Sequence, residues 1–403
     1  MNDTVSERPL AIVLGRNYAS RLGMTRAAGM AGCDVVVVRT HLKWMEDETA
    51  DTYSKYVVDS SVANEPYFDK LVDAILSFTN TGRKAIILPT DDWTAAVVDR
   101  HLNLLSPHFL TPHMLHQQEA MLSLMDKENQ KAMAREAGAN VAEGWVCRNT
   151  DNGYTIPEGI TFPCFTKPVE SHTGALKPYL KRCDNLKQLK DVLDAIGKKY
   201  KKDILVEQFL NIEKEYAVLG VAFGGQCLMP AFIQMDASRE GVTATGWVRP
   251  MTLMPQMEGI LKKFMAKTQL TGLFDIDLYE SNGKIYFNEL NTRFGASGYA
   301  VTMAACNLPA IFIQQLMGLP TQHVPKEFAE KSFANEKICF DMLHTGLTSY
   351  TQYKRQIRNA DILFIEDIDD PKPMIYMQKK NRLLFARYLF WTLRRKLKIS
   401  KWI

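Results

Sequence analysis

Apolar runs and amphipathic stretches alternate along the first hundred residues. Leu10 to Leu14 is an unbroken apolar run stopped by Gly15. A helical segment follows over about Ser20 to Gly32, and Asp34 to Val38 is a second apolar strand. Ala85 to Leu88 ends at Pro89-Thr90-Asp91-Asp92 and leads into a helical stretch from Trp93 to Leu105. Strands alternating with helices predict a parallel, doubly wound sheet of about 110 residues, with ligands at the carboxyl ends of its strands. Gly15-Arg16-Asn17 and Thr90-Asp91-Asp92 fall there. The same residues serve equally well as a tight turn and as helix caps. Gly15 to Gly23 contains no G-x-G-x-x-G, so the dinucleotide fingerprint is missing.

The pattern then changes. Asp126 is placed to cap a helix over Lys127 to Ala137, closed by Gly138. Val141 to Cys147 and Phe162 to Pro168 read as strands of a small sheet, separated by a turn-rich stretch at Asn149 to Gly159. A polar helix over about Asn185 to Lys202 leads into the strand Ile204 to Leu210. Tyr216 to Phe223 and Cys227 to Ile233 pair around Gly224-Gly225.

Composition narrows the class. With 46% hydrophobic and 23% charged residues, the 403-residue chain is neither disordered nor a disulfide scaffold. No apolar run approaches the roughly 20 residues of a membrane span. The seven cysteines are scattered and never spaced C-x-x-C, which predicts a cytoplasmic protein without a zinc knuckle. The net charge of +4 is uneven. Nine Lys or Arg and no acid lie in 379–403, leaving 40 basic against 45 acidic residues before it. A mildly acidic body argues against nucleic acid as a partner.

The chemistry concentrates in Leu273-Phe-Asp-Ile-Asp-Leu-Tyr-Glu-Ser-Asn-Gly-Lys-Ile-Tyr-Phe-Asn-Glu-Leu-Asn-Thr-Arg293. Ser281-Asn282-Gly283 predicts a three-residue hairpin loop, pairing Glu280 with Lys284, Asp277 with Phe287 and Asp275 with Glu289. Asp275, Asp277, Glu289 and Asn291 then share one face. A two-residue Asn-Gly turn would instead set Glu289 opposite Ile276, away from the aspartates. Crowded carboxylates call for a cation between them, and a hard divalent ion bridging substrate phosphates meets that need.

Glu289-Leu290-Asn291-Thr292-Arg293 after an acid-bearing strand resembles the C-terminal signature of the ATP-grasp superfamily. Lys127 at a helix start, Phe162-Pro-Cys-Phe-Thr-Lys-Pro168 and Val206-Glu-Gln-Phe-Leu210 appear in the order and spacing of that superfamily. The resemblance covers about residues 9–320. It implies an N-terminal open α/β domain (1–115), then a two-lobed ATP-grasp fold of α+β type (116–325). The lid lobe is expected over about 141–205 and the C lobe over about 206–325, with a C-terminal extension at 326–403. The implied cofactors are ATP and Mg²⁺ or Mn²⁺. Lys127 and Lys167 are implied at the ATP phosphates, with Lys167 also near the adenine, and Ser171, Thr173 and Gly174 in a phosphate-covering loop. Glu207, Gln208 and Leu210 belong to the implied adenine hinge, and Glu215 to the ribose contact. Asp277, Glu289 and Asn291 are the implied metal ligands, with Asp275 as the alternate. Arg293 is implied to stabilise the transferring phosphoryl group or the acylphosphate, a role suited to a guanidinium fork. Gly295, Ser297, Gly298 and Asp91 are expected on the substrate side.

Known members mostly make an acylphosphate from a carboxylate and ATP and pass the acyl group to an amine. The expected activity is therefore a carboxylate–amine ligase. The alternatives are a carboxylase of the biotin carboxylase type and a non-catalytic nucleotide-binding membrane adaptor; a nicotinamide oxidoreductase lacks its fingerprint. The tail at 379–403 carries Phe385, Leu389, Leu393 and Leu397 every four residues, with Arg387, Arg394, Arg395, Lys398 and Lys401 roughly opposite. This predicts either a peripheral helix on an anionic membrane surface or a terminal helix docked on the body. A lipid-linked acceptor would lean the resemblance towards the peptidoglycan D-aspartate ligases.

Overall fold

The computed structural model describes residues 8–40, 49–63, 68–151, 153–169, 180–198, 201–239 and 242–380, with 382 and 386. The apolar N-terminal runs form a four-stranded parallel sheet, ordered Val57–Val62, Asp34–Arg39, Leu10–Gly15, Ala85–Pro89. Successive strands add on one side of Leu10–Gly15 until Ala85–Pro89 joins on the other. The order therefore switches between these two strands, and the crevice opens at Gly15 and Thr90, as the sequence predicts. Helices Tyr18–Met30 and Asp92–Arg100 follow the two strands directly.

Five short strands make a second sheet, ordered Arg182–Cys183, Cys164–Pro168, Ile204–Gln208, Gly144–Thr150, Gly153–Thr155. Helix Leu186–Gly197 covers it with Leu189, Leu193 and Ile196, spaced four and three apart, against Cys147, Cys164, Cys183, Ile204 and Val206. The predicted strand from Val141 to Cys147 is in fact two. Asn140–Val141 pairs in parallel with the hairpin strand Lys284–Asn291, and Gly144–Thr150 belongs to the smaller sheet. The break at Ala142-Glu143 lets one chain segment serve both sheets.

The largest sheet runs Ile362–Leu363, Lys331–Ala334, Val242–Pro250, Gln226–Arg239, Lys214–Phe223, Leu270–Ser281, Lys284–Asn291, Asn140–Val141, and His113–Met114 pairs beside it on Leu270–Ser281. One face buries Ala217, Leu219, Ile233 and Leu273 in a core shared with Met24 and Ala28 of the first helix. The other packs Val218, Phe274 and Ile276 against helices Lys127–Ala137 and Pro255–Thr268. The C-terminal segment is tied back to the first helix by Arg26. Its fully buried guanidinium donates to Asp370 Oδ2 at 3.0 Å, Phe364 O at 2.9 Å and Ile365 O at 2.9 Å.

Candidate functional site

The acid hairpin closes differently from the sequence expectation. Ser281 pairs with Lys284 around a two-residue turn whose residues, Asn282 and Gly283, have φ of +51° and +68°. Such a mirror-image turn follows the right-handed twist of the strands. Alone, it would turn Glu289 away from the aspartates. A β-bulge at Asn288 inserts one residue and resets the register. Leu278 faces Phe287, yet Asp277 faces Glu289 and Asp275 faces Asn291. The expected shared face survives for a different reason. The bulge also frees Asn288, whose Oδ1 accepts from Lys167 Nζ at 2.9 Å while its Nδ2 donates to the Tyr279 hydroxyl at 3.1 Å.

Asn291 Nδ2 donates to Asp277 Oδ2 at 3.2 Å, and Lys127 Nζ lies 2.7 Å from Glu289 Oε2. Arg293 bridges two elements, with Nε 3.1 Å from Asp92 Oδ1 and NH1 3.2 Å from Asp275 Oδ2. Burial and the neighbouring carboxylates push Asp277 well above the usual carboxyl range. Asp275 is raised to about 6, because burial outweighs the pull of Arg293. Burial opposes ionisation of Glu289 too, but Lys127, Lys167 and Arg293 bring it down to about 2. A divalent cation fits this donor set. Asp275 Oδ1 is buried without a hydrogen-bond partner, and crowding of hard oxygen donors is what such an ion relieves. The set is not pre-assembled, since no three His, Cys, Asp or Glu side chains among the described residues converge on an ion position. Glu289 is turned instead to Lys127.

The helix carrying Lys127 forms where predicted. Asp126 caps it by accepting from the Glu128 and Asn129 amides, and Gly138 ends it with φ +98°. Gln130 fixes it to the hairpin, its Nε2 donating to Leu290 O at 2.7 Å and its Oε1 accepting from Leu290 N at 2.8 Å. Lys127 and Lys131, one turn apart, thus lie on the same side as the acids and the hinge. Beside them a pocket of about 170 Å³ is lined by Phe165, Lys167, Glu207 to Leu210, Tyr279 and Phe287. Lys167, Glu207, Gln208 and Leu210 are therefore brought together as expected. The Glu207 side chain is not open to the pocket alone: Lys167 Nζ lies 2.6 Å from its Oε2, and Lys131 contacts its Oε1. Glu215, the second residue of strand Lys214–Phe223, lies opposite Tyr279, outside the pocket lining. Ser171, Thr173 and Gly174 lie outside the described residues.

On the substrate side, Asp91 caps helix Asp92–Arg100 through Thr94 N at 2.9 Å and accepts from Arg16 N at 2.8 Å. Asp92, rather than Asp91, reaches Arg293. A Cβ on Gly295 would lie 2.0 Å from Asp275 Oδ2, so glycine is what lets the chain pass this carboxylate. The space at Gly298 is filled by the Phe294 ring, which assigns its small size to packing. Ser297 is buried where the helix Gly298–Ala304 begins. Sequence reasoning missed Lys131, Gln130, Asn288 and the pair Arg21–Asp51. The Arg21 guanidinium also donates to Gly15 O at 2.9 Å and Arg16 O at 2.5 Å, holding the crevice loop. The i, i+4 spacing of Lys127 and Lys131 was the one available signal.

Residues 132–310 match the family model of the ATP-grasp domain. Three of the four motifs, Phe162 to Pro168, Val206 to Leu210 and Glu289 to Arg293, lie within that match, and Lys127 lies just before it. The chain is similar to the formate-dependent phosphoribosylglycinamide formyltransferase of Bacillus velezensis, with 23% identity over 316 residues, 76% of this chain and 80% of the relative. Among solved structures it resembles an ADP complex of N5-carboxyaminoimidazole ribonucleotide synthetase, with TM-score 0.62 and 15% identity, over 86% of this chain and 87% of that one. It also resembles the L-amino acid ligase of Bacillus licheniformis, with TM-score 0.56 and 14% identity, over 77% and 74%.

Proposed function

We propose that the protein is an ATP-dependent carboxylate–amine ligase. The observation that carries this reading is the convergence of Lys127, Lys167 and Arg293 from three elements onto one cleft, lined at one end by the hairpin acids. A carboxylate oxygen attacks the γ-phosphorus of ATP, ADP leaves, and an acylphosphate forms. The amine nitrogen then attacks the acyl carbon, phosphate leaves, and the nitrogen loses its proton to give the amide.

Lys127 and Lys167 neutralise phosphate oxygens as point charges, and the Arg293 fork faces the charge that develops on the transferring group. Asp277, Glu289 and Asn291, with Asp275 as the alternate, would hold Mg²⁺, which supplies charge neutralisation of the phosphates when bound. Glu207, Gln208 and Leu210 border the adenine and Glu215 the ribose; Gly295, Ser297 and the Gly15–Asp91 crevice border the other substrates. On this reading 1–115, 116–325 and 326–403 are the pre-ATP-grasp domain, the ATP-grasp lobes and the extension. Magnesium-dependent ADP release that requires both an added acid and an added amine tests the proposal; release independent of either overturns it.

The finer reading places the enzyme in the cytoplasm, peripheral at an anionic membrane, acting on an envelope precursor. Its support is the acid-free basic tail, since each Lys or Arg near an anionic leaflet contributes roughly 1 kcal/mol. Most of that tail lies outside the described residues, and no described helix is long and apolar enough to cross a membrane. Full-length protein is expected to sediment with anionic but not neutral vesicles, and a chain ending at Met377 with neither. Equal behaviour of the two chains removes the tail as an anchor.

A further inference from the structure

Glu207 is 3% exposed and lies in the wall of the pocket with two lysine side chains on its carboxylate. One belongs to Lys167, which also reaches Asn288. The other belongs to Lys131, on the helix that Gln130 clamps to the hairpin backbone. On the ATP-site reading, on which this inference rests, Lys167 must turn towards a phosphate when nucleotide enters. That turn takes a cation away from a buried carboxylate, and a buried charge left without a partner is strongly unfavourable. With a single lysine, nucleotide binding would exchange one ion pair for another and gain little. A second lysine on the same carboxylate removes the conflict.

We propose that Lys131 is a positioning residue, keeping Glu207 neutralised so that Lys167 is released to the nucleotide phosphates. The two lysines oppose each other across the shared carboxylate: burial, with Lys167 and Lys127 nearby, lowers Lys131 to about 6, and departure of Lys167 relieves part of that pull so that Lys131 holds its proton beside Glu207. Both lysines border the pocket, and Lys167 is the one that leaves, because its side chain is 17% exposed against 6% for Lys131. The arrangement repeats, with the opposite outcome, at Lys127 and Glu289. There the acid is held by Lys127, and it is the proposed metal that would replace the lysine.

Calorimetric titration of full-length protein with Mg·ADP, across a double-mutant cycle, tests the proposal. Lys131→Met is expected to weaken ADP binding about tenfold or more, the scale of coupling between buried charged neighbours. In the Glu207→Gln background the same substitution is expected to cost less than about threefold, because no buried charge then holds Lys167 back. Lys131→Arg keeps the cation and is expected to retain binding. If Lys131→Met does not fold, Lys131→Gln replaces it, with the same expected loss and the same rescue. A merely structural role would lower binding equally in both backgrounds, and that result overturns the proposal. So does unchanged binding by Lys131→Met. A wild-type protein that binds no nucleotide overturns the ATP-site reading itself, and this inference falls with it; wild-type binding without coupling overturns this inference alone.

Discussion

The two ends of the cleft carry opposite surpluses of charge. At the hairpin end Asp92, Asp275, Asp277 and Glu289 share Arg293 and Lys127. At the pocket end Lys131 and Lys167 share the single carboxylate of Glu207. Both ends obey the same rule, that a buried charge takes whatever partner is within reach. They teach different things about the ligand. A surplus of acids favours a cation and a surplus of lysines an anion, so a metal–nucleotide salt, positive at one end and negative along its length, satisfies both at once. Neither surplus alone selects it: acids without the lysines describe a metal site, and lysines without the acids describe any phosphate site.

The largest expected effect comes from breaking the acidic end. Glu289→Gln keeps the shape and removes one ligand charge. It should lower turnover by about a thousandfold or more, because the lost stabilisation is realised in the transition state. Magnesium-dependent ADP release measures it, and near-normal release sinks the metal assignment. A smaller effect separates the lysines. Lys167→Ala is expected to weaken ATP binding about ten- to a hundredfold, and Lys127→Ala to act mainly on turnover, as expected for charges that contact bound phosphate and transferred phosphate respectively. Equal ATP affinity in wild type and both variants removes the phosphate cradle.

The smallest effect sharpens the basic end. Burial, with Lys127 nearby, lowers the Lys167 ammonium to about 8. Phosphate binds the protonated form, so nucleotide affinity should be full below about pH 8 and fall as pH rises through it. In Lys167→Ala this inflection should vanish. A calorimetric series from pH 6.5 to about 9 reads it, on the scale of an ordinary lysine titration displaced from its reference value. An affinity flat over that range contradicts the assigned role of Lys167.

Residues whose partners lie close in the chain were legible. The helix Lys127–Ala137 came with its own cap and stop, Asp126 and Gly138, and the structure keeps both. The apolar runs at Leu10, Asp34 and Ala85 predict parallel strands, and the structure has them. The hairpin was legible in its acids but not in its turn. A two-residue turn with a later bulge and a three-residue loop present the same carboxylates together, and the sequence pattern does not distinguish them.

What the sequence by itself determined is therefore local: which segments are helix or strand, where they stop, and that acids and lysines recur at the spacings of an ATP-grasp domain. Propensity, capping and the period of apolar positions act over a few residues, and those are printed in the chain. Tertiary structure alone decided which charge meets which. Asp92 reaches Arg293 across 201 positions, and Gln130 clasps Leu290 across 160. Lys131 becomes a buried partner of Glu207 only because its helix packs beneath the hairpin, and Lys331–Ala334 and Ile362–Leu363 extend the large sheet from far along the chain. Burial is what gives such charges their weight, and burial is a property of the assembled molecule, set by elements whose sequences say nothing about one another.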